Sequence, residues 1–172
     1  WLVMDCGFYS EENINRLYWD HLKFLMGAKL SLKFVQSALD EERENLKSWE
    51  RYNQQHDLYA CTKTLEWDYE QTRPYKGDTL KEKRRMYLHL YYNSTRAAED
   101  ERRSNVLLAE LQEELQHGKR VAEHEKLYAK YFETKETPVR GIQVTAKQEA
   151  IDAARKNFGF FALISNESKD AI

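Results

Sequence analysis

Asp5 is the residue of this sequence best placed to do chemistry. The apolar run Leu2-Val3-Met4 ends in it, and Cys6-Gly7-Phe8-Tyr9-Ser10 follows. A strand that stops at a carboxylate, turns at a glycine and enters a helix is how an open α/β sheet delivers an acid to its active edge. One aspartate so placed ligates a divalent cation but does not hold it alone, because such ions take several oxygen ligands. The competing role is local: an Asp ahead of Gly-Phe also caps its own turn or the next helix.

Other candidates have plain structural readings beside the chemical ones. Lys81-Glu82-Lys83-Arg84-Arg85 is a short basic cluster between two alternating runs. As a loop it reaches phosphates, or it is simply solvated. Trp67, Tyr69, Tyr87 and Tyr91 have rings that could stack on a flipped base, but aromatics alternating along strands are usually sheet packing. His117 and His124 are separated by Gly118. That break keeps them off one helical face, so they read as surface or packing residues. Cys6 has no base beside it in sequence and reads as a small thiol at a strand-to-turn site.

Regular elements must position these groups. Residues 1–5 read as a buried strand, and Ser10 as the N-cap of a helix with Glu11 and Glu12 in its first turn. Ile14, Leu17, Tyr18 and Leu22 fall on one face of that helix. Phe24-Leu25-Met26 reads as a second strand, closed by Gly27. Ser31 is a cap for the next helix, striped by Leu32, Val35, Leu39 and Leu46. Strand–helix–strand–helix is a parallel α/β pattern. The middle changes period. Leu65, Trp67 and Tyr69 alternate with Glu66, Asp68 and Glu70, and Met86, Leu88, Leu90 and Tyr92 line one side of a second run. These predict an antiparallel pair joined by a long loop through Pro74, Gly77 and Asp78.

A long helix follows, opened by Asn93 or Ser94 and ending near Gly118, with a narrow seam of Leu108, Leu111 and Leu115. It is a solvated arm or a surface for pairing with another subunit. A second helix, with Val121, His124, Tyr128 and Tyr131 on one face, completes a helical hairpin. Ile142 and Val144 then predict a short strand, Ala150, Ile151 and Ala154 a helix, and Phe160–Ile164 a strand covered on both faces.

The chain has 172 residues, 33% of them charged and 13% aromatic, which indicates a folded, highly charged domain. A net charge of −2 gives no whole-chain nucleic-acid footprint. Cys6 and Cys61 make neither a metal pair nor a disulfide framework, so a reducing cytoplasm is expected. No apolar stretch approaches the roughly 20 residues that a membrane span needs. The sequence opens at Trp1 directly on a strand and ends just after an apolar run. An internal piece of a longer protein is therefore expected.

Three segments resemble DDE-type insertion-sequence transposases. They are Val3–Ser10 continuing to Asn13-Ile14, Tyr87–Asn93 running into Arg96–Glu101, and Gly159–Asn166 followed by Lys169-Asp170-Ala171. They occur in the family's order over essentially the whole chain. The resemblance implies an α/β fold: a partial ribonuclease-H-like core interrupted by an inserted region of antiparallel strands and a helical hairpin. The expected parts are core at 1–49, insertion at 50–140, and return to core at 141–172.

The resemblance also implies metal-dependent DNA cleavage and strand transfer, with two Mg²⁺ ions (Mn²⁺ as a substitute) and Asp5 as the family's second triad acid and metal ligand. The first Asp and the Glu of that pattern have no counterpart here. Glu167 and Asp170 precede the expected Glu helix and are not assigned to it. Cys6 stands where relatives usually carry a basic residue. The implied partners are transposon-end and target DNA, contacted by Lys81, Lys83, Arg84 and Arg85, and a second copy in a homodimer. No membrane is involved, and the implied location is the prokaryotic cytoplasm at the nucleoid. The alternative is a non-catalytic oligomerisation or interaction remnant of a mobile element.

Overall fold

Two apolar patterns organise the chain, and each builds its own core. The computed structural model describes residues 1–73 and 76–172. They form two compact units, residues 1–93 with 160–172, and residues 94–159.

The first unit is a mixed α/β layer. Its sheet contains β1 (Leu2–Met4), β2 (Phe24–Ala28), β3 (Tyr52–Asn53), β4 (Leu58–Thr72), β5 (Thr79–Tyr92) and β8 (Phe160–Ser165), in the order β1-β2-β8-β5-β4-β3. β1 and β2 are parallel, and every other pair is antiparallel. Helices α1 (Glu11–Trp19) and α2 (Lys33–Glu42) share one face of this sheet. Ile14 and Leu17 of α1 and Val35, Ala38 and Leu39 of α2 pack there on Met26, Leu88, Leu90, Ala162 and Ile164. Full burial of each large aliphatic side chain contributes about 1.5–3 kcal/mol, so this apolar layer is what fixes the two helices on the sheet.

Alternation places Tyr87, His89 and Tyr91 on the opposite face of β5. There the Tyr91 hydroxyl donates to the Ala171 carbonyl at 2.6 Å, so the chain end lies over that face. β5 is consequently buried at every position from Met86 to Tyr91.

The local signals explain the element ends. Ser10 caps α1, its hydroxyl accepting from the Asn13 N–H at 3.0 Å. α1 stops at Trp19, so Leu22 lies beyond it. Ser31 does not cap α2: Leu32 holds that position, and no side chain bonds there. Leu46 lies past the end of α2 and is still fully buried.

The second unit contains α3 (Ser94–Gln116), α4 (Glu125–Tyr131), a hairpin of β6 (Phe132–Thr137) and β7 (Gly141–Ala146), and α5 (Gln148–Arg155). Leu111, Leu115, Tyr128 and Phe132 form its core. Gly118, at φ +64°, lets the chain leave α3, as its left-handed conformation suits glycine.

The compact units divide the chain differently from the expected 1–49, 50–140 and 141–172. Residues 58–92 belong to the main sheet, because β5 pairs with β8 from Tyr87↔Ser165 to Tyr92↔Phe160. Ile142 and Val144 do not return to that sheet; β7 pairs with β6 inside the second unit. The basic cluster 81–85 is also corrected. It is strand, because it pairs with residues 66–70 of β4, and the turn lies further out. Pro74, expected in that loop, lies outside the described residues.

Candidate functional site

Asp5 follows directly on β1, at the carboxyl end of a strand parallel to β2. It begins a short 3-10 turn over Cys6–Phe8, and its Oδ1 accepts from the Gly7 N–H at 2.6 Å. Its other oxygen has no hydrogen-bond partner among the described residues, and the residue is exposed. The local capping role weighed from the sequence is therefore present, and it leaves half of the carboxylate open.

Gly27 of β2 makes this turn possible. A Cβ there would come within 3.0 Å of the Cys6 backbone nitrogen. β1 is an edge strand with exposed apolar side chains, Val3 at 79%.

The oxygen chemistry of Asp5 suits Mg²⁺ or Mn²⁺ in kind. No group of three His, Cys, Asp or Glu among the described residues could hold a metal ion. Magnesium is commonly held by one or two carboxylates and several waters, so a single open carboxylate oxygen on Asp5 is of the kind that could ligate it.

The four basic candidates differ once paired. Lys81 lies 3.4 Å from Glu70, Lys83 bonds Asp68, and Arg84 lies 2.7 Å from Glu82. Arg84 also covers the Tyr69 ring, 5.0 Å from its centroid. Arg85 forms no ion pair with a described residue, although Glu66 is its register partner. It lines a depression with Thr64, Tyr87 and Lys169. A second cavity, lined by Glu11, Glu66, Asp68, Glu70, Phe34 and Trp67 among others, is acidic and unsuited to phosphate.

The aromatic candidates are committed to packing. Tyr69, Tyr87 and Tyr91 are at most 6% exposed. Tyr91 stacks on Phe161 with centroids 4.8 Å apart. Trp67 meets Tyr9 and Phe34 edge-on, and its Nε1 donates to Asn15 Oδ1 at 2.8 Å. Cys6 and Cys61 are free and half-buried, and burial pushes the Cys61 thiol above its ordinary value. Glu167 is held by Lys23 at 2.8 Å. The Leu seam of α3 is spent internally, since Leu111 and Leu115 are buried in the second unit's core.

Two polar clusters have no forerunner in the sequence pattern. Glu114 of α3 lies 2.9 Å from Nδ1 of His124 and also accepts from the Tyr128 hydroxyl. Those bonds hold the Glu114 carboxyl below the usual carboxylate range, and Glu114 in turn raises the His124 pKa. The signal was a helix turning back at Gly118, which brings residues before and after it together. In the first unit Glu42 receives Arg51 at 2.6 Å and Lys63 at 3.6 Å across elements that no local pattern links.

His89 is nearly fully buried, with Nδ1 2.8 Å from the Thr62 hydroxyl. Its Nε2 makes no full hydrogen bond to a described residue, although the Ser168 backbone lies near the ring. Burial lowers its pKa. Among the described residues no helix is long and apolar enough to cross a membrane. No protein-family model matches the chain, and no curated protein or solved structure matches it either.

Proposed function

We propose that this chain is the central part of a DNA transposase catalytic domain with a ribonuclease-H-like core, acting in metal-dependent strand cleavage and strand transfer. The reading rests on the three ordered sequence segments and on one structural observation. An exposed aspartate, with one carboxylate oxygen open, ends a strand that is parallel to its neighbour. Acids at that place line the crevice outside the carboxyl ends of strands, where open α/β sheets bind ligands.

Asp5 supplies one carboxylate on this reading, and the family's other two acids have no counterpart in the sequence. The chain alone is accordingly expected to be inactive on DNA. The unpaired edge of β1 is where the reading places the opening strands of the core, and exposed Val3 suits a covered position there. DNA and a second protein copy are the partners this function requires.

The test is Asp5→Asn in the full-length protein, assayed for cleavage of DNA carrying the sequences that flank its gene. An amide oxygen still accepts from the Gly7 N–H but ligates a cation poorly. The expected result is loss of cleavage with an unchanged melting temperature. Cleavage by the variant at the wild-type rate would remove Asp5 from the catalytic set, whereas absence of cleavage by the wild-type full-length protein would reject the enzyme reading and favour a non-catalytic interaction module.

A further inference from the structure

The sheet face opposite α1 and α2 carries an unassigned cationic site. Arg85 and Tyr87 lie on that face at successive odd positions of β5. Thr64 is the register partner of Tyr87 on β4. Lys169 comes from the chain end that lies over this face, and the four residues line one depression of about 460 Å³.

Three features distinguish it from an ordinary charged surface. First, Lys81 and Lys83 on the same strand are already paired with Glu70 and Asp68, whereas Arg85 and Lys169 are in no ion pair with a described residue. Second, Tyr87 is only 6% exposed, yet its hydroxyl makes no hydrogen bond to a described residue. That hydroxyl is not among the buried polar atoms; it reaches the open depression and is available to donate to an anion there. Third, among the described residues no carboxylate lines the depression, Glu66 opposite Arg85 on β4 included. Two cations and two hydroxyl donors match the oxygens of a phosphate, and a guanidinium can bind two of them in parallel.

We propose that Arg85, Lys169, Tyr87 and Thr64 form an anion site that takes a phosphate of a DNA backbone. The choice of DNA as the source rests on the function proposed above. Among the described residues the lining offers no exposed ring on which a base could stack, which favours a backbone phosphate over a free nucleotide.

The experiment measures binding of a labelled duplex to the full-length protein across a salt series. Arg85→Gln combined with Lys169→Gln should weaken binding several-fold and reduce the slope of log affinity against log salt by about 0.9 for each phosphate no longer neutralised. Tyr87→Phe, which keeps the ring in its packing, should give a smaller loss. Lys83→Gln, which removes an already paired cation, should leave the slope nearer wild type. Arg85→Lys should restore part of the affinity.

Unchanged affinity and slope in the folded double variant would overturn the proposal. So would saturable binding of inorganic phosphate at these residues with no effect of the substitutions on DNA affinity. The two readings fail separately. If the wild-type protein does not cleave while the double variant loses DNA, the function falls and the anion site stands. If Asp5→Asn is inactive while the double variant binds normally, the reverse holds.

Discussion

The backbone N–H of Gly7 donates to one carboxylate oxygen of Asp5 at 2.6 Å, so the residue that ends β1 also shapes the turn after it. Two roles in one side chain can be separated by substitution. Asp5→Asn keeps an acceptor for Gly7 and should leave stability within about 0.5 kcal/mol of wild type. Asp5→Ala removes the acceptor and should cost about 1 kcal/mol, the usual value of a lost cap. Urea unfolding of both variants measures the difference. Equal stability would mean that the Gly7 bond contributes nothing.

Gly27 tests the same turn from the neighbouring strand. A methyl group there would press on the Cys6 backbone nitrogen at 3.0 Å and on its Cβ at 3.3 Å. Backbone yields less readily than a side-chain tip. Gly27→Ala should therefore destabilise by about 1–3 kcal/mol, as overpacking does. Amide chemical shifts of residues 5–8 should move with it. A stable variant with unmoved shifts would show that the strands can part at no cost.

The Glu114–His124 pair predicts a stability window. His124 has a raised folded pKa, so its contribution is complete below its ordinary 6.5 and is lost as pH rises through the folded value. Glu114 has a lowered one, so its contribution is complete above its ordinary 4.5 and is lost as pH falls through the folded value. The pair stabilises the second unit most between those two pH values. Glu114→Gln should return the His124 titration, followed by NMR, toward its ordinary range and flatten the window. A His124 titration unmoved by that substitution would remove the coupling.

His89 works in the other direction. Burial holds it neutral, so the unfolded chain binds a proton more readily, and the first unit loses stability as pH falls below 6.5 and through the folded value. His89→Gln, which retains polar contact with Thr62, should reduce that acid sensitivity. Hydrogen exchange in β5 at descending pH is the measurement, and equal acid sensitivity in both proteins would count against it.

Separate cores predict separable damage. Leu111 is fully buried in the second unit, and Leu111→Ala should cost about 2–5 kcal/mol. Loss of amide protection should be concentrated in residues 94–159. Uniform loss across the chain would show that the two cores melt as one.

Much of the secondary structure was legible because it follows local rules. The Ser10 cap, the apolar stripe Ile14–Leu17 and the period-two runs at 65–69 and 86–92 each carry their own signal, and each lies in the expected element. The weak points were segments whose polarity hides their state. Lys81–Arg85 and Glu133–Thr137 are strands with mostly exposed side chains, so no alternation of apolar residues marks them. Pairing with β4 and with β7 makes them strands, and pairing is not a local property. Asp5 was legible as a strand-end acid, but its bond to Gly7 and the open state of its second oxygen were not.

The sequence by itself determined which residues seek burial and where the chain turns, because period, capping residues and glycine act within a few positions. The tertiary structure alone decided that β8 lies between β2 and β5, that Arg85 makes no ion pair with a described residue while Lys81, Lys83 and Arg84 do, and that Lys169 arrives beside it. Those outcomes depend on residues far apart in the chain meeting across a sheet, and the competition among such meetings is settled only when the whole apolar layer closes.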